Sequence, residues 1–131
     1  MKRKVLGVVA GLVVFVVVAT IAGLIMRAAW ADYARVAEAM TFTLPMMIAR
    51  LSIGAIATIA AGWTTAVIVR QSRLARLMPG LVLLLLFVPQ HVRLWNAFPA
   101  WYHLTFLISI VPLIHLGGTL SLALDRVEVG T

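Results

Sequence analysis

An uncharged apolar run from Val5 to Met26 is the feature that most constrains the fold of this chain. It follows the basic start Met1–Lys4, and its 22 residues exceed the roughly 7–15 apolar residues of a signal-peptide core. About 20 apolar residues cross a bilayer as a helix, and in lipid the backbone must form its hydrogen bonds internally. The run therefore predicts an uncleaved first membrane-spanning helix.

Three more apolar runs follow, and together they predict four spans in a single membrane domain, residues 1–131. Of all residues, 63% are hydrophobic and 11% are charged, whereas soluble domains are about half apolar and about a quarter charged. Because a chain this short cannot bury so much apolar surface in water, the composition argues against a soluble enzyme, a disordered chain, a coiled coil or a nucleic-acid-binding domain. We expect an all-α integral membrane bundle of four transmembrane helices at approximately residues 5–26, 45–69, 79–93 and 100–124, with residues 125–131 as a polar tail.

Residues 27–40 differ in composition from the apolar runs on either side. Asp32, Arg35 and Glu38 recur every three residues, a spacing that suits ion pairs along one helical face. Two aromatic residues in the same segment are of the kind found at the headgroup level of a membrane. This pattern predicts a short interfacial helix after the first span, and an ordinary polar loop is the alternative.

The distribution of Lys and Arg predicts the orientation of the four spans. Seven of the eleven basic residues fall at one end of the bundle, including two clusters of three, and loops rich in Lys and Arg stay in the cytoplasm. We therefore expect both termini to lie in the cytoplasm. The seven are Lys2, Arg3, Lys4, Arg70, Arg73, Arg76 and Arg126, and the four at the other end are Arg27, Arg35, Arg50 and Arg93.

Small residues at four-residue spacing predict the helix contacts of the bundle. In lipid, helices associate through small residues that let two backbones approach closely. These contacts either join the four helices of one chain or serve a homo-oligomer or a partner membrane subunit. The predicted packing residues are Gly7, Gly11, Gly54, Thr58, Gly62, Gly117 and Gly118.

Arg50, Arg93 and His115 form the candidate polar site within the membrane. Arg50 and His115 lie inside apolar runs, where ionisable groups are costly and usually face a bundle interior or a cavity. Snorkelling to the headgroups, or pairing with Asp32 or Glu38, would explain Arg50 without a function. The alternative is an anion or lipid-phosphate site that Arg50 shares with Arg93 and nearby histidines.

The three histidines do not form a convincing metal or haem site. His103 and His115 are about 18 Å apart along one helix, so they cannot share a metal ion. His91 and His103 flank the same turn and could approach each other, but two ligands without a nearby Cys or carboxylate make a weak site. The chain has no Cys. We therefore expect no cofactor and no metal.

Four segments carry a diffuse resemblance to a known group of proteins. They are the first run VLGVVAGLVVFVVVATIAGLIM, the end of the second AGWTTAVIVR, the turn NAFPAW and the stretch LGGTL near the end of the fourth. In these segments the chain resembles small uncharacterised bacterial four-span inner-membrane proteins. The resemblance implies a topology and carries no functional motif.

The sequence shows no nucleophile with a base, phosphate loop or carboxylate pair, so we expect no enzymatic activity. The main hypothesis is a structural or accessory subunit of the inner membrane. The alternative is a small oligomeric transporter or channel-like protein with a cleft near Arg50, Arg93 and His115, and a weaker one is a haem- or quinone-associated subunit. Expected partners are the lipid bilayer, with anionic lipid headgroups near Arg70, Arg73 and Arg76, and a second copy or partner membrane subunit, but no nucleic acid.

Overall fold

The computed structural model describes residues 1–130 and contains helices but no strands in that part of the chain. Four of its five helices are long and apolar enough to cross a membrane, which confirms the all-α class and the number of candidate spans. The four long helices alternate in direction, so Lys2 and Gly130 lie at one end of the bundle, where Arg3 contacts Ile68 and Arg70 pairs with Asp125. This end is called the terminal end, and the opposite end is called the α2 end. The helices are α1 (Lys2–Ala29), α2 (Ala31–Val36), α3 (Leu44–Ile68), α4 (Arg73–Arg93) and α5 (Ala100–Gly130).

The predicted short helix after the first span is present, but it is only six residues long. Trp30 has an extended backbone that separates α1 from α2, and residues 37–40 form a turn. The turn ends at Met40, whose φ of 55° places it in the left-handed region. Tyr33 and Ala37 are buried against Met46, so this connection packs onto the start of α3.

Helix α4 begins six residues before the predicted third span. We expected residues 79–93, but the helix begins at Arg73 and passes through Pro79. Ser72 explains the earlier start, because its side chain accepts a hydrogen bond from the Ala75 backbone N–H, as expected at a helix N-cap. Pro79 lies in the second turn of the helix, and the helix also continues through Pro89.

Helix α5 extends past the expected fourth span and includes residues 125–130 of the polar tail. Residues 125–129 contain neither Pro nor Gly, so no helix-breaking residue stops the helix there. Asp125 also pairs with Arg70 at 3.1 Å, which ties the end of α5 to the connection between α3 and α4.

Small residues set the distances between the helices. At Gly62 and Gly117, α3 and α5 approach so closely that a Cβ on either glycine would overlap a carbonyl oxygen of the other helix. A Cβ on Gly11 of α1 would overlap the Thr65 hydroxyl of α3, and that hydroxyl lies 3.1 Å from the Gly7 carbonyl oxygen. All seven predicted packing residues are buried, and helix α3 lies between α1 and α5.

Candidate functional site

A cluster of polar and aromatic side chains surrounds Arg50 at the α2 end. Arg50 lies about 9 Å into α3, since it follows the first helical residue by six positions. Its Nε donates a hydrogen bond to the Tyr102 hydroxyl at 3.2 Å, and its Nη1 donates to the Tyr33 hydroxyl at 2.7 Å. Because Tyr33 belongs to α2 and Tyr102 to α5, Arg50 connects three helices. We call Arg50, its two tyrosines and the rings described next the Arg50 cluster.

Two phenylalanine rings lie beside the guanidinium. The Arg50 Cζ atom is 4.6 Å from the centre of the Phe42 ring and 5.9 Å from that of Phe98. The aromatic rings of the cluster also stack in sequence, Tyr33 on Phe42, Phe42 on Phe98, and Phe98 on Tyr102. A cation within about 6 Å of a ring centre is attracted to the ring face. These rings therefore hold the guanidinium in place without neutralising it.

The charge of Arg50 has no carboxylate partner among residues 1–130. Asp32 forms its ion pair with Arg35 instead, and Glu38 forms none with Arg50. In place of pairing with Asp32 or Glu38, one of the alternatives for this residue, Arg50 donates hydrogen bonds to two neutral phenols. A guanidinium has five N–H donors, and the tyrosine hydroxyls occupy two of them. The remaining donors and the full positive charge are left for another acceptor.

The Arg50 cluster borders a cavity of about 210 Å³ that extends toward the middle of the bundle. Its polar groups are the guanidinium and the two tyrosines, and the rest of its wall is apolar. All four long helices contribute to this wall, and α2 adds Tyr33. The lining residues are Phe15, Ala19, Gly23, Met26, Tyr33, Arg50, Ile53, Gly54, Phe87, Tyr102 and Phe106.

His91 of α4 and His103 of α5 meet beside the Arg50 cluster, as their positions on either side of one turn suggested. Their Nδ1 atoms are 2.7 Å apart, and the His103 Nε2 lies 3.3 Å from the Trp95 carbonyl oxygen. A carbonyl can only accept, so Nε2 of His103 carries a hydrogen, and in the neutral ring its Nδ1 must accept from His91 Nδ1–H. The His91 ring also lies against Tyr102 and Phe106.

The other two members of the predicted polar site lie elsewhere. Arg93 is the last residue of α4, at the α2 end, and its side chain is exposed. His115 follows Tyr102 by thirteen residues on α5, which is about 20 Å along the helix, and it is exposed on the outer face of the bundle. His115 is therefore far from Arg50 along the bundle, and neither Arg93 nor His115 lines the cavity beside Arg50.

Sequence reasoning missed the four aromatic partners of Arg50. Tyr33 was recognised only as part of an interfacial aromatic segment, and Phe42, Phe98 and Tyr102 lie in or beside turns of unknown geometry. The available signal was an arginine inside an apolar run combined with aromatic residues in both connections at the same end. Within residues 1–130 there is no group of three or more His, Cys, Asp or Glu side chains that could hold a metal ion.

Comparison with known proteins identifies no relatives of this chain: no family model, no curated protein and no solved structure matches it. The Arg50 cluster and its cavity are therefore the basis on which function is assigned.

Proposed function

We propose that this chain is a multi-pass protein of the bacterial inner membrane with both termini in the cytoplasm, acting as a structural or accessory subunit and not as an enzyme. Four helices of sufficient length and hydropathy support the membrane location. The orientation is supported by seven Lys and Arg residues at the terminal end against four at the α2 end. With this orientation, the α2 end and the Arg50 cluster face the outer leaflet.

The function that the site supports best is binding of an anionic membrane amphiphile in the cavity beside Arg50. The single observation that carries this proposal is the guanidinium without a carboxylate partner at the polar end of an otherwise apolar cavity. The two tyrosine hydroxyls fix the guanidinium, and each hydroxyl can also donate a hydrogen bond. A carboxylate or phosphate would take the free N–H groups, and its hydrocarbon chain would lie along the apolar wall.

The energetics favour an anion over a neutral ligand. A charge withdrawn from water is costly unless it is paired, so a partly buried Arg50 gains most from a ligand that brings a negative charge. Guanidinium groups match carboxylates and phosphates through two parallel hydrogen bonds. The role is thus to hold a lipid-like anion between helices, which needs no nucleophile or general base.

Native mass spectrometry of the purified protein tests this assignment. The probes are oleate and 1-oleoyl-lysophosphatidate as anions, with 1-oleoyl-lysophosphatidylcholine as the zwitterionic comparison. We expect both anions to bind. R50Q should lower their affinity by about tenfold or more, since a hydrogen bond to a charged group contributes about 1.5–3 kcal/mol. The ratio of oleate to lysophosphatidate binding distinguishes a carboxylate ligand from a phosphate ligand.

Two further variants separate the cavity from general charge. R93Q removes an exposed arginine at the same end and is expected to bind both anions as the unmodified protein does. G23L fills the cavity, because Gly23 lines it and a Cβ there meets no other atom within 4 Å, and we expect it to abolish binding while Arg50 remains. Equal binding by R50Q, R93Q and the unmodified protein would refute the proposal.

The membrane orientation is tested with single cysteines, since the chain contains none of its own. We expect N96C to react with an impermeant thiol reagent in intact spheroplasts and S72C to react only after permeabilisation. Labelling of S72C from outside would reverse the proposed orientation.

A further inference from the structure

A groove between α1 and α4 leads into a basic cavity at the terminal end of the bundle. The groove has a volume of about 330 Å³ and an apolar wall formed by Val5, Val8, Val9, Leu74, Ala75 and Met78. Lys4 and Ser72 complete this wall and also line a second cavity of about 270 Å³. The two cavities therefore share a rim, with hydrocarbon on one side and polar groups on the other.

The second cavity is rich in positive charge. Arg3, Lys4 and Arg70 line it together with Gln71 and Ser72. Arg3 donates from Nε to the Ile68 carbonyl oxygen at 2.6 Å, a contact that positions the side chain and leaves its charge intact. Of the three cations only Arg70 has a carboxylate partner in the described part of the chain, Asp125 at 3.1 Å. The cavity thus keeps a net positive charge.

Ser72 and Lys4 lie where a headgroup would pass from the groove to the cavity. The Ser72 oxygen accepts a hydrogen bond from the Ala75 N–H, so its own hydroxyl hydrogen is available to a ligand. Lys4 forms no ion pair among residues 1–130. A phosphate at this rim would meet an ammonium and a hydroxyl.

We propose that the α1–α4 groove and the adjoining basic cavity form a site for one anionic phospholipid, with an acyl chain along the groove and the phosphate beside Lys4 and Ser72. Free phosphate would use only the polar cavity, and a neutral lipid would leave the cations unpaired. An amphiphile fits because its acyl chain would lie in the groove while its phosphate would lie at the rim that the groove shares with the basic cavity. This site is separate from the Arg50 cavity, which lies at the other end of the bundle, and it shares with the proposed function only the membrane location.

The test compares binding of dioleoyl phosphatidylglycerol, dioleoyl phosphatidylcholine and inorganic phosphate to the purified full-length protein by native mass spectrometry. On the unmodified protein we expect one phosphatidylglycerol molecule that depends on Lys4 and not on Arg50, and that neither phosphatidylcholine nor millimolar phosphate displaces. K4Q should weaken this binding about fivefold, as expected for loss of one basic residue beside an anionic headgroup. L74Q should produce a similar loss by making the groove polar.

Matched controls come from the same segments. K2Q removes a neighbouring lysine that lines neither cavity, and L85Q places the same polar group at a more exposed position of α4. Both are expected to bind phosphatidylglycerol normally, and R50Q should keep the Lys4-dependent molecule while losing any lipid held beside Arg50. Equal losses in K4Q and K2Q would show diffuse attraction and overturn the proposal. Displacement of the lipid by inorganic phosphate, together with normal binding by L74Q, would show a free-phosphate site and overturn it as well.

Discussion

At the residue scale, His91 and His103 form a buried pair in which the donor and acceptor of each hydrogen bond are defined. His103 is fully buried, and both of its ring nitrogens have partners, the His91 Nδ1 and the Trp95 carbonyl oxygen. Since the carbonyl can only accept, the direction of both hydrogen bonds follows. The pair closes the turn between α4 and α5 beside the Arg50 cluster.

Replacement of His103 by Leu is expected to destabilise the fold. The change leaves the His91 Nδ1–H without an acceptor, and an unsatisfied buried polar group costs about 1–3 kcal/mol. The free energy of unfolding, measured by circular dichroism during titration of mixed micelles with sodium dodecyl sulfate, should fall by this amount.

The control for this variant is H115L, which changes an exposed histidine on the same helix. We expect its free energy of unfolding to stay within about 0.5 kcal/mol of the unmodified value. If H103L and H115L have the same free energy of unfolding, the buried hydrogen bonds of His103 contribute nothing to stability.

The sequence was sufficient to predict some residues of the site but not others. Arg50 was recognisable because a charge inside an apolar run is unusual, and the histidines because they flank one turn. The partners of Arg50 were not recognisable, because Tyr33 lies 17 residues before it and Tyr102 lies 52 residues after it. Only the packing of α2 and α5 against α3 brings these hydroxyls to it.

At the scale of elements, hydropathy predicts the helices well but predicts their ends poorly. The second span was expected at residues 45–69, and helix α3 covers Leu44–Ile68. Helices α4 and α5 extend beyond their apolar runs, because Ser72 caps α4 early and because residues 125–129 contain no helix-breaking residue. Helix ends depend on backbone hydrogen bonds, and hydropathy does not report those.

The close contact between α3 and α5 leads to a prediction about Gly117. Replacement by Ala places a Cβ against the backbone carbonyl of Ile59, which cannot turn aside as a side chain would. The two helices must separate, and we expect a loss of about 1–3 kcal/mol, as for other overpacked interiors. Unfolding in the same mixed micelles measures the loss.

Gly23 provides the matched control on α1. A Cβ there meets no other atom within 4 Å. Since Ala favours helix over Gly, the free energy of unfolding of G23A is expected to equal or exceed that of the unmodified protein. Equal destabilisation by G117A and G23A would show that glycine itself, rather than the close approach, matters at these positions.

At the scale of the whole molecule, the uneven distribution of basic residues makes the proposed orientation sensitive to a few charges. Replacing Lys2, Arg3 and Lys4 by Gln leaves four Lys and Arg residues at each end. Since the difference in Lys and Arg sets orientation, we expect this triple variant to insert in both directions. An S72C reporter should then react partly from outside.

The control for the triple variant is R126Q, which leaves six basic residues against four. Its S72C reporter should stay protected in intact spheroplasts. A single orientation in the triple variant would mean that features other than these charges direct insertion.

Helix α1 is buried only at Gly7, Gly11 and Phe15, and it is the most apolar of the four long helices. In a membrane such a helix is stable without neighbours, because it carries no ionisable group along most of its length. Helix α3 is the opposite case, since Arg50 depends on side chains from two other helices. During synthesis α1 and Tyr33 are made before Arg50, and Tyr102 is made after it. The growing chain must therefore leave Arg50 with one of its two tyrosine partners until α5 packs against α3.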